Sequence, residues 1–202
     1  MSIAERLGEV RRETPPEVAI VAVTKGRSID ECRQAFAAGL TDLGENRVQE
    51  ALPKIEALPE ATWHLIGHLQ ANKARHAGRF ALVHSVDSLH IAQAIARHAP
   101  GHPCLLQVNT SREPQKHGCA PEDAVELAAG IAQELELRGL MCMGPAEGDP
   151  TPAFLLLRQL RERSEQRLGK ALPILSMGMT DDWRQALAAG SSMLRLGRFL
   201  FA

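Results

Sequence analysis

A run of six apolar residues that ends next to a threonine and a lysine most constrains the fold of this chain. The run extends from Val18 to Val23, contains no polar residue and is rich in β-branched side chains. Such a run is typical of a strand that is buried on both faces of a parallel sheet. In barrels of parallel strands, functional groups lie at the carboxyl ends of the strands, which is where Lys25 stands.

Lys25 has two interpretations at this point. An ammonium group at an apolar pocket tends to lose its proton, and the free amine can form a Schiff base with an aldehyde. The alternative is a lysine that ends a strand and points to water. The segment itself leaves both open.

Composition restricts the class of protein. The chain has 202 residues, of which 45% are hydrophobic, and a formal net charge of −1. This length supports one full-sized core, and the charge balance does not favour nucleic acid as a partner. We expect no membrane span, because no apolar run is long enough. The cysteines are widely spaced and form no CxxC pair, which favours reduced thiols in a cytoplasmic protein; they are Cys32, Cys104, Cys119 and Cys142.

Strand-like and helix-like segments alternate about eight times, in units of roughly 20–30 residues. We therefore predict an α/β fold, a single-domain (β/α)8 TIM barrel over residues 1–202 with an extra N-terminal helix from Ile3 to Arg12. The competing fold is a doubly wound open sheet. That fold needs a glycine fingerprint after its first strand, and the segment from Lys25 to Ser28 does not contain one.

Two turns in the last quarter of the chain indicate a phosphate site. The segment Ser176-Met177-Gly178 follows a predicted strand and precedes a helix, and Arg195 and Gly197 end the last strand. Backbone N–H groups at such turns bind phosphate, and barrels often place that site after strands seven and eight. The alternative is two ordinary turns with a surface arginine. A closed barrel brings its last strand next to its first, so a ligand with both an aldehyde and a phosphate fits, and pyridoxal 5′-phosphate (PLP) is the usual one.

Longer motifs resemble a known family. The sequence is similar to the pyridoxal phosphate homeostasis proteins (YggS/PROSC), relatives of the alanine racemase N-terminal barrel, over nearly the whole chain. The matching segments are Val21–Lys25, Gly44–Glu50, Trp63–Lys73, His84–Ser88, Lys116–Gly118, Ser176–Asp182 and Arg195–Gly197.

The resemblance implies a role for each site residue. PLP would be held on Lys25 as a Schiff base, with Asn46 beside it, and Arg195 would face the pyridine nitrogen. Because arginine only donates hydrogen bonds, that nitrogen would stay unprotonated and carbanion chemistry would be weakly supported. The phosphate would contact Ser176, Met177, Gly178, Gly197 and the residue that follows it.

That last position departs from the family pattern. The family usually has threonine or serine there, whereas this chain has Arg198. The backbone N–H of Arg198 remains available, and its guanidinium can pair with a phosphate or with a partner.

Three functions are considered. The first is a carrier without robust catalysis that controls the supply of PLP, and the second is a racemase or other PLP enzyme of weak activity. The third is a barrel that binds another phosphorylated metabolite, which leaves Lys25 unused. Two-sided racemisation needs two bases, and alanine racemases use a tyrosine from a second domain as one of them. This chain has no tyrosine, which favours the carrier. Expected partners are PLP and apo forms of PLP-dependent enzymes, and the expected oligomeric state is a monomer.

Other polar residues have less specific interpretations. We expect His64 to be hydrogen-bonded inside the barrel, Lys116 to be a surface charge, and Glu45 and Glu50 to be a helix-start charge and part of a solvated helix face. The polar cluster of His68, Gln70, Asn72 and Lys73 is interpreted as a solvated rim, with acceptance of an amino compound as the alternative.

Overall fold

The computed structural model describes residues 1–202 and contains a closed barrel of eight parallel strands in sequential order. Each strand pairs with the next along the chain, and β8 pairs with β1. The strands are β1 Ala19–Val23, β2 Asp42–Glu45, β3 Thr62–Leu65, β4 Leu82–Val86, β5 Pro103–Gln107, β6 Glu136–Met141, β7 Ile174–Ser176 and β8 Met193–Leu196. The predicted (β/α)8 barrel is confirmed, and the open sheet is excluded.

Helices surround the barrel. They are α1 Ile3–Glu13, α2 Ile29–Ala37, α3 Val48–Ala57, α4 Leu89–Ala96, α5 Ala124–Glu134, α6 Thr151–Leu168, α7 Trp183–Ala188 and α8 Arg198–Phe201, with 3-10 helices at Ala71–Arg79 and Pro121–Asp123. Local signals place several ends: Ser28 caps α2 in a capping box, and Gly169 ends α6 at φ +63°. None of the helices is both long and apolar enough to cross a membrane.

The extra N-terminal helix covers the part of the barrel that the short last helix leaves open. α8 has only four residues, and α1 lies beside it, with Arg6 donating to the carbonyl of Phe199 at 3.4 Å. Leu7 and Val10 of α1 are buried. Arg184 at the start of α7 pairs with Glu13 at 2.6 Å. α1 therefore completes the helical layer, as the sequence predicts.

The side chains inside the barrel are of two kinds. An apolar cluster contains Val21, Leu82, Leu105, Met141 and Met193. Polar side chains lie at inward positions of two pairs of neighbouring strands, β3–β4 and β7–β8, and they are His64, His84, Ser176 and Arg195, all buried. Strand residues alternate between the two faces of a sheet, so every second residue of a strand points into the barrel. β4 and β8 each contribute one apolar and one polar side chain in this way.

Candidate functional site at the carboxyl end of the barrel

A cavity of about 630 Å³ opens at the carboxyl ends of the strands. Loops after β1, β5, β6, β7 and β8 form its wall. Of the predicted site residues, four line it: Lys25, Arg195, Gly197 and Arg198. Residues from the first and last strands therefore meet at one site, because the barrel closes between β8 and β1.

The basic residues of the wall differ in their partners. Lys116 forms an ion pair with Glu113, and Arg198 forms one with Asp181. Lys25 and Arg195 have no carboxylate within salt-bridge distance. An anionic ligand in the cavity would therefore meet two cations that form no ion pair, although the charge of Asp182 acts on Arg195.

Lys25 lies on a turn at the rim of the cavity. Its strand ends at Val23, and Gly26 turns the chain at φ +70°. Thr24 is buried and anchors the turn, because its N–H donates to Gly44 at 2.9 Å and its hydroxyl donates to Glu45 at 2.6 Å. Lys25 itself is exposed, so it does not lie in an apolar pocket. The hydrogen bonds of Thr24 therefore fix the backbone next to Lys25, whose amine is accessible.

Arg195 is held from inside the barrel. It is 4% exposed, and its guanidinium donates to Ser176 Oγ at 2.7 Å and to the carbonyl of Cys142 at 2.8 Å. Burial lowers the pKa of Arg195 from its usual value. The two hydrogen bonds fix the plane of a charged group that lines the cavity.

The segment predicted to bind phosphate, Ser176–Gly178, does not line the cavity. Ser176 and Met177 are fully buried, and neither lines the cavity. The Ser176 hydroxyl is held by Arg195 and lies 3.0 Å from His84 Nδ1, so it faces the barrel interior. Gly178 has φ +96°, and a Cβ there would lie 2.6 Å from Cβ of Ala186. Glycine at this position permits close packing of the segment on α7, and phosphate contacts at Ser176, Met177 and Gly178 stay a prediction.

The two turns predicted to hold phosphate contact each other. The N–H of Phe199 donates to Thr180 Oγ1 at 3.3 Å, and Arg198 pairs with Asp181. Thr180 therefore serves the start of α8 and not that of α7, whose N-cap is Asp182. Asp182 accepts the N–H of Met179 at 2.6 Å, and burial raises the pKa of its carboxyl.

Asn46 lines a second cavity of about 430 Å³. The polar rim predicted after β3 contributes His68, Gln70 and Lys73 to the same wall. The structure does not place Asn46 on the wall with Lys25, so its position beside the ligand stays a prediction.

Two expectations about charged residues are wrong. Glu45 is not a helix-start charge: it lies in β2, is fully buried, and pairs with Lys54 at 2.6 Å. Lys116 is not a surface charge, because its side chain is 16% exposed and lines the cavity. Glu50 does lie on the outer part of α3, where it pairs with Arg47. Glu45 depends on Lys54 of α3, and Lys116 donates to the carbonyl of Gly144 in the loop after β6.

The expectations for His64 and the cysteines are confirmed. His64 is buried inside the barrel and hydrogen-bonded at both ring nitrogens. All four cysteines are free, and Cys32, Cys104 and Cys142 are buried. Sequence reasoning missed Asp42 and His84, which contact these interior groups. The available signal was a polar residue at an inward position of each of three neighbouring strands.

His84 makes stability depend on pH. It is fully buried, and burial lowers its pKa well below 6.5. The unfolded chain therefore binds a proton below about pH 6.5 that the folded chain does not bind, and stability falls by about 1.4 kcal/mol per pH unit from this residue. We expect His84→Gln to reduce that slope in urea unfolding between about pH 7 and about pH 5.

The exposed residue His98 provides the matched control for this experiment. His98→Gln is expected to keep the slope of the unsubstituted protein. His102 is a second contributor, because burial also lowers its pKa. An unchanged slope in His84→Gln would show that His84 is protonated in the folded state.

The fold and the cavity define the class of protein. It is a (β/α)8 barrel with a lysine after the first strand and an arginine on the last strand. The family model described as alanine racemase, N-terminal domain, matches residues 1–202. Proteins named pyridoxal phosphate homeostasis protein match most of the chain. The one from Pseudomonas aeruginosa is 41% identical over 98% of this chain and 91% of its own length, and the one from Deinococcus radiodurans is 43% identical over 92% and 89%. This chain belongs to the pyridoxal phosphate homeostasis proteins, within the alanine racemase N-terminal domain family.

Solved structures agree with this assignment. PipY of Synechococcus elongatus without PLP has a TM-score of 0.91 and 38% identity, and both chains are covered completely. A structure of the same protein with PLP bound has a TM-score of 0.90 and 36% identity. An alanine racemase of Clostridium difficile has a TM-score of 0.86 at 12% identity, and this chain covers 56% of it. That last similarity concerns the fold alone.

Proposed function

We propose that this chain binds PLP at the carboxyl end of its barrel, as a Schiff base on Lys25, and hands it over to apo enzymes. The observation that carries the proposal is one cavity that joins the Lys25 amine to the Arg195 guanidinium. The name of the homologous homeostasis proteins and the PLP bound to PipY support the choice of ligand. Four basic residues on the wall suit an anionic aldehyde: Lys25, Lys116, Arg195 and Arg198.

Each side chain has a part in this proposal. Lys25 would supply the amine that condenses with the aldehyde, with water as the leaving group. Arg195 would lie opposite the pyridine nitrogen and, because it only donates, would keep that nitrogen unprotonated. Gly197 and Arg198, with the segment Ser176–Gly178, contact the phosphate. The Ser176 hydroxyl is turned to the interior and the N–H of Met177 donates to the carbonyl of Met193, so the N–H of Gly178 is the donor proposed for this segment.

Bound PLP would supply an electrophilic aldehyde and an electron-withdrawing ring. The ring nitrogen opposite Arg195 limits that second property. The chain also lacks tyrosine, the residue that alanine racemases use as a second base. Because Lys25 is exposed, water or another amine could reach a ligand held on it, which would favour release. The site is therefore better suited to holding and releasing the aldehyde than to racemisation. We propose the cytoplasm as the compartment of this activity.

Borohydride reduction tests the position of the Schiff base. After incubation with PLP and reduction, peptide mapping is expected to find the label on Lys25 alone. Lys25→Ala should lose both the label and the visible absorption band. Lys170→Ala, at an exposed lysine beyond α6, is the matched control and should keep both. Label on Lys116, or no band in the unsubstituted protein, would contradict the proposal.

Transfer to a second protein tests the carrier role separately. The loaded protein is mixed with an apo PLP enzyme, with and without a scavenger of free PLP. Faster activation than release into solution allows is the expected result. Activation limited by release would contradict hand-over, and steady turnover of an amino acid by the pure protein would favour the racemase alternative.

A further inference from the structure

A chain of hydrogen bonds crosses the inside of the barrel from Arg195 to the opposite end. Arg195 donates to Ser176 Oγ at 2.7 Å, and that oxygen lies 3.0 Å from His84 Nδ1. His84 Nε2 lies 2.9 Å from His64 Nδ1, and His64 Nε2 lies 2.9 Å from Asp42 Oδ1. We call the four residues that follow Arg195 in this chain the interior relay. They are Ser176, His84, His64 and Asp42.

The interior relay connects the two ends of the barrel. Arg195 lines the cavity at the carboxyl ends of the strands, whereas Asp42 is the first residue of β2, at the amino ends. The side chain of Asp42 is 31% exposed, while His64 and His84 are at most 3% exposed. The relay therefore runs from a buried cation at the cavity to a carboxylate that solvent reaches from the other side.

Chemistry assigns a direction to each bond. A guanidinium only donates, so the Ser176 oxygen accepts from Arg195 and its own proton is free to go to His84 Nδ1. A neutral His84 then carries its proton on Nε2 and donates to His64 Nδ1. His64 in turn carries its proton on Nε2 and donates to the carboxylate. Every donor points from the cation toward the anion, an arrangement in which successive hydrogen bonds polarise one another.

The surroundings agree with this direction. Burial lowers the pKa of His84, and the charge of Arg195 acts in the same direction, so its ring is neutral. Burial acts to raise the pKa of Asp42, but the hydrogen bond from His64 acts in the opposite direction and the pKa is lowered. Asp42 is also faced by the Thr41 hydroxyl, which donates at 3.0 Å, and by the charge of Arg11. The end point of the relay is therefore an anion at neutral pH.

We propose that the interior relay positions the Arg195 guanidinium for the ligand and that the Asp42 carboxylate, at the far end of the barrel, sets how firmly it is held. Neutralising Asp42 weakens the anion that polarises the relay, and the Ser176 oxygen becomes a poorer acceptor for Arg195. Arg195 then loses orientation although no residue of the cavity wall has been substituted. The effect on PLP rests on the proposed function, whereas the proton positions do not.

The nitrogen resonances of His64 and His84 test the relay in the protein without PLP. Both rings are expected to carry one proton, on Nε2, at neutral pH. In Asp42→Asn the amide oxygen still accepts from His64, but the Nε2 proton is expected to move upfield because its partner has lost its charge. A His84 ring protonated on Nδ1, or a doubly protonated His64, would overturn the relay.

PLP affinity tests the link to Arg195. Asp42→Asn and Ser176→Ala are each expected to weaken PLP binding about tenfold, within the usual range for coupling through packed networks. Asp30→Asn, at an exposed carboxylate on α2, is the matched control and should bind as the unsubstituted protein does. Unchanged affinity in folded Asp42→Asn and Ser176→Ala would overturn the positioning role and leave the proposed function intact. If the unsubstituted protein does not bind PLP, the proposed function is contradicted instead. The nitrogen resonances would then still show whether the proton positions of the relay are correct.

Discussion

Gly139→Ala is expected to prevent folding, or to lower the free energy of unfolding by more than about 4 kcal/mol. A Cβ at Gly139 would lie 1.9 Å from the carbonyl oxygen of Ile174 and 2.7 Å from its carbonyl carbon. Both are backbone atoms of β7, and Gly139 pairs with Ile174 in the barrel. The clash can be relieved only by moving β6 away from β7, which opens the closed sheet.

Gly8→Ala provides the control for adding one methyl group at a glycine. Gly8 lies in α1, and a Cβ there meets nothing within 4 Å. Alanine at a helix interior is favoured over glycine, so this variant should gain about 0.5–1 kcal/mol. Urea unfolding followed by circular dichroism measures both variants. A Gly139→Ala protein with an unchanged unfolding midpoint would show that β6 and β7 are spaced differently.

Lys54→Met is expected to lower the free energy of unfolding by about 3–5 kcal/mol. Lys54 Nζ lies 2.6 Å from Glu45 Oε1 and donates to the carbonyl of Thr24 at 2.8 Å. The side chain of Lys54 is 13% exposed and that of Glu45 is fully buried. Removing the ammonium leaves a carboxylate away from water with only the Thr24 hydroxyl as a partner, and desolvation makes such a charge costly.

The double variant Glu45→Leu with Lys54→Met separates the cost of an unpaired charge from that of lost packing. Apolar pairs often replace buried ion pairs without loss, so the double variant should recover most of the stability lost in Lys54→Met. Urea unfolding of the two single variants and the double variant completes the cycle. Equal instability of Lys54→Met and the double variant would assign the loss to packing instead. Because Thr24 precedes Lys25, Lys54→Met should also weaken borohydride labelling of Lys25.

Much of the fold was predictable because its signals are local. The apolar run before Lys25, the serine cap of α2 and the glycine that ends α6 each act through nearby residues, so their structural effects follow from the sequence. Some boundaries differ: β2 extends to Glu45, where a helix was expected to begin. A short strand and a helix start look alike when the residues are few, and strand pairing with β3 decides between them.

The candidate site was predictable to the extent that it follows from barrel closure. Lys25 and Arg195 share a cavity because the first and last strands pair. The orientation of the Ser176 hydroxyl, the burial of Glu45 and the place of Lys116 on the cavity wall were not predictable, because each depends on a partner from another element or loop. These partners are Arg195, Lys54 and the carbonyl of Gly144 respectively.

The amino-acid sequence determined the alternation of strands and helices, the barrel that follows from it, and the lysine and arginine available at its carboxyl end. These features follow from side-chain periodicity and from backbone preferences that act over a few residues. Only the tertiary structure decided which polar groups face one another across the barrel. Inward positions of eight strands converge on one axis, and the register between strands sets whether two side chains lie 3 Å apart or a layer apart. The hydrogen-bonded chain from Arg195 to Asp42 exists for that reason.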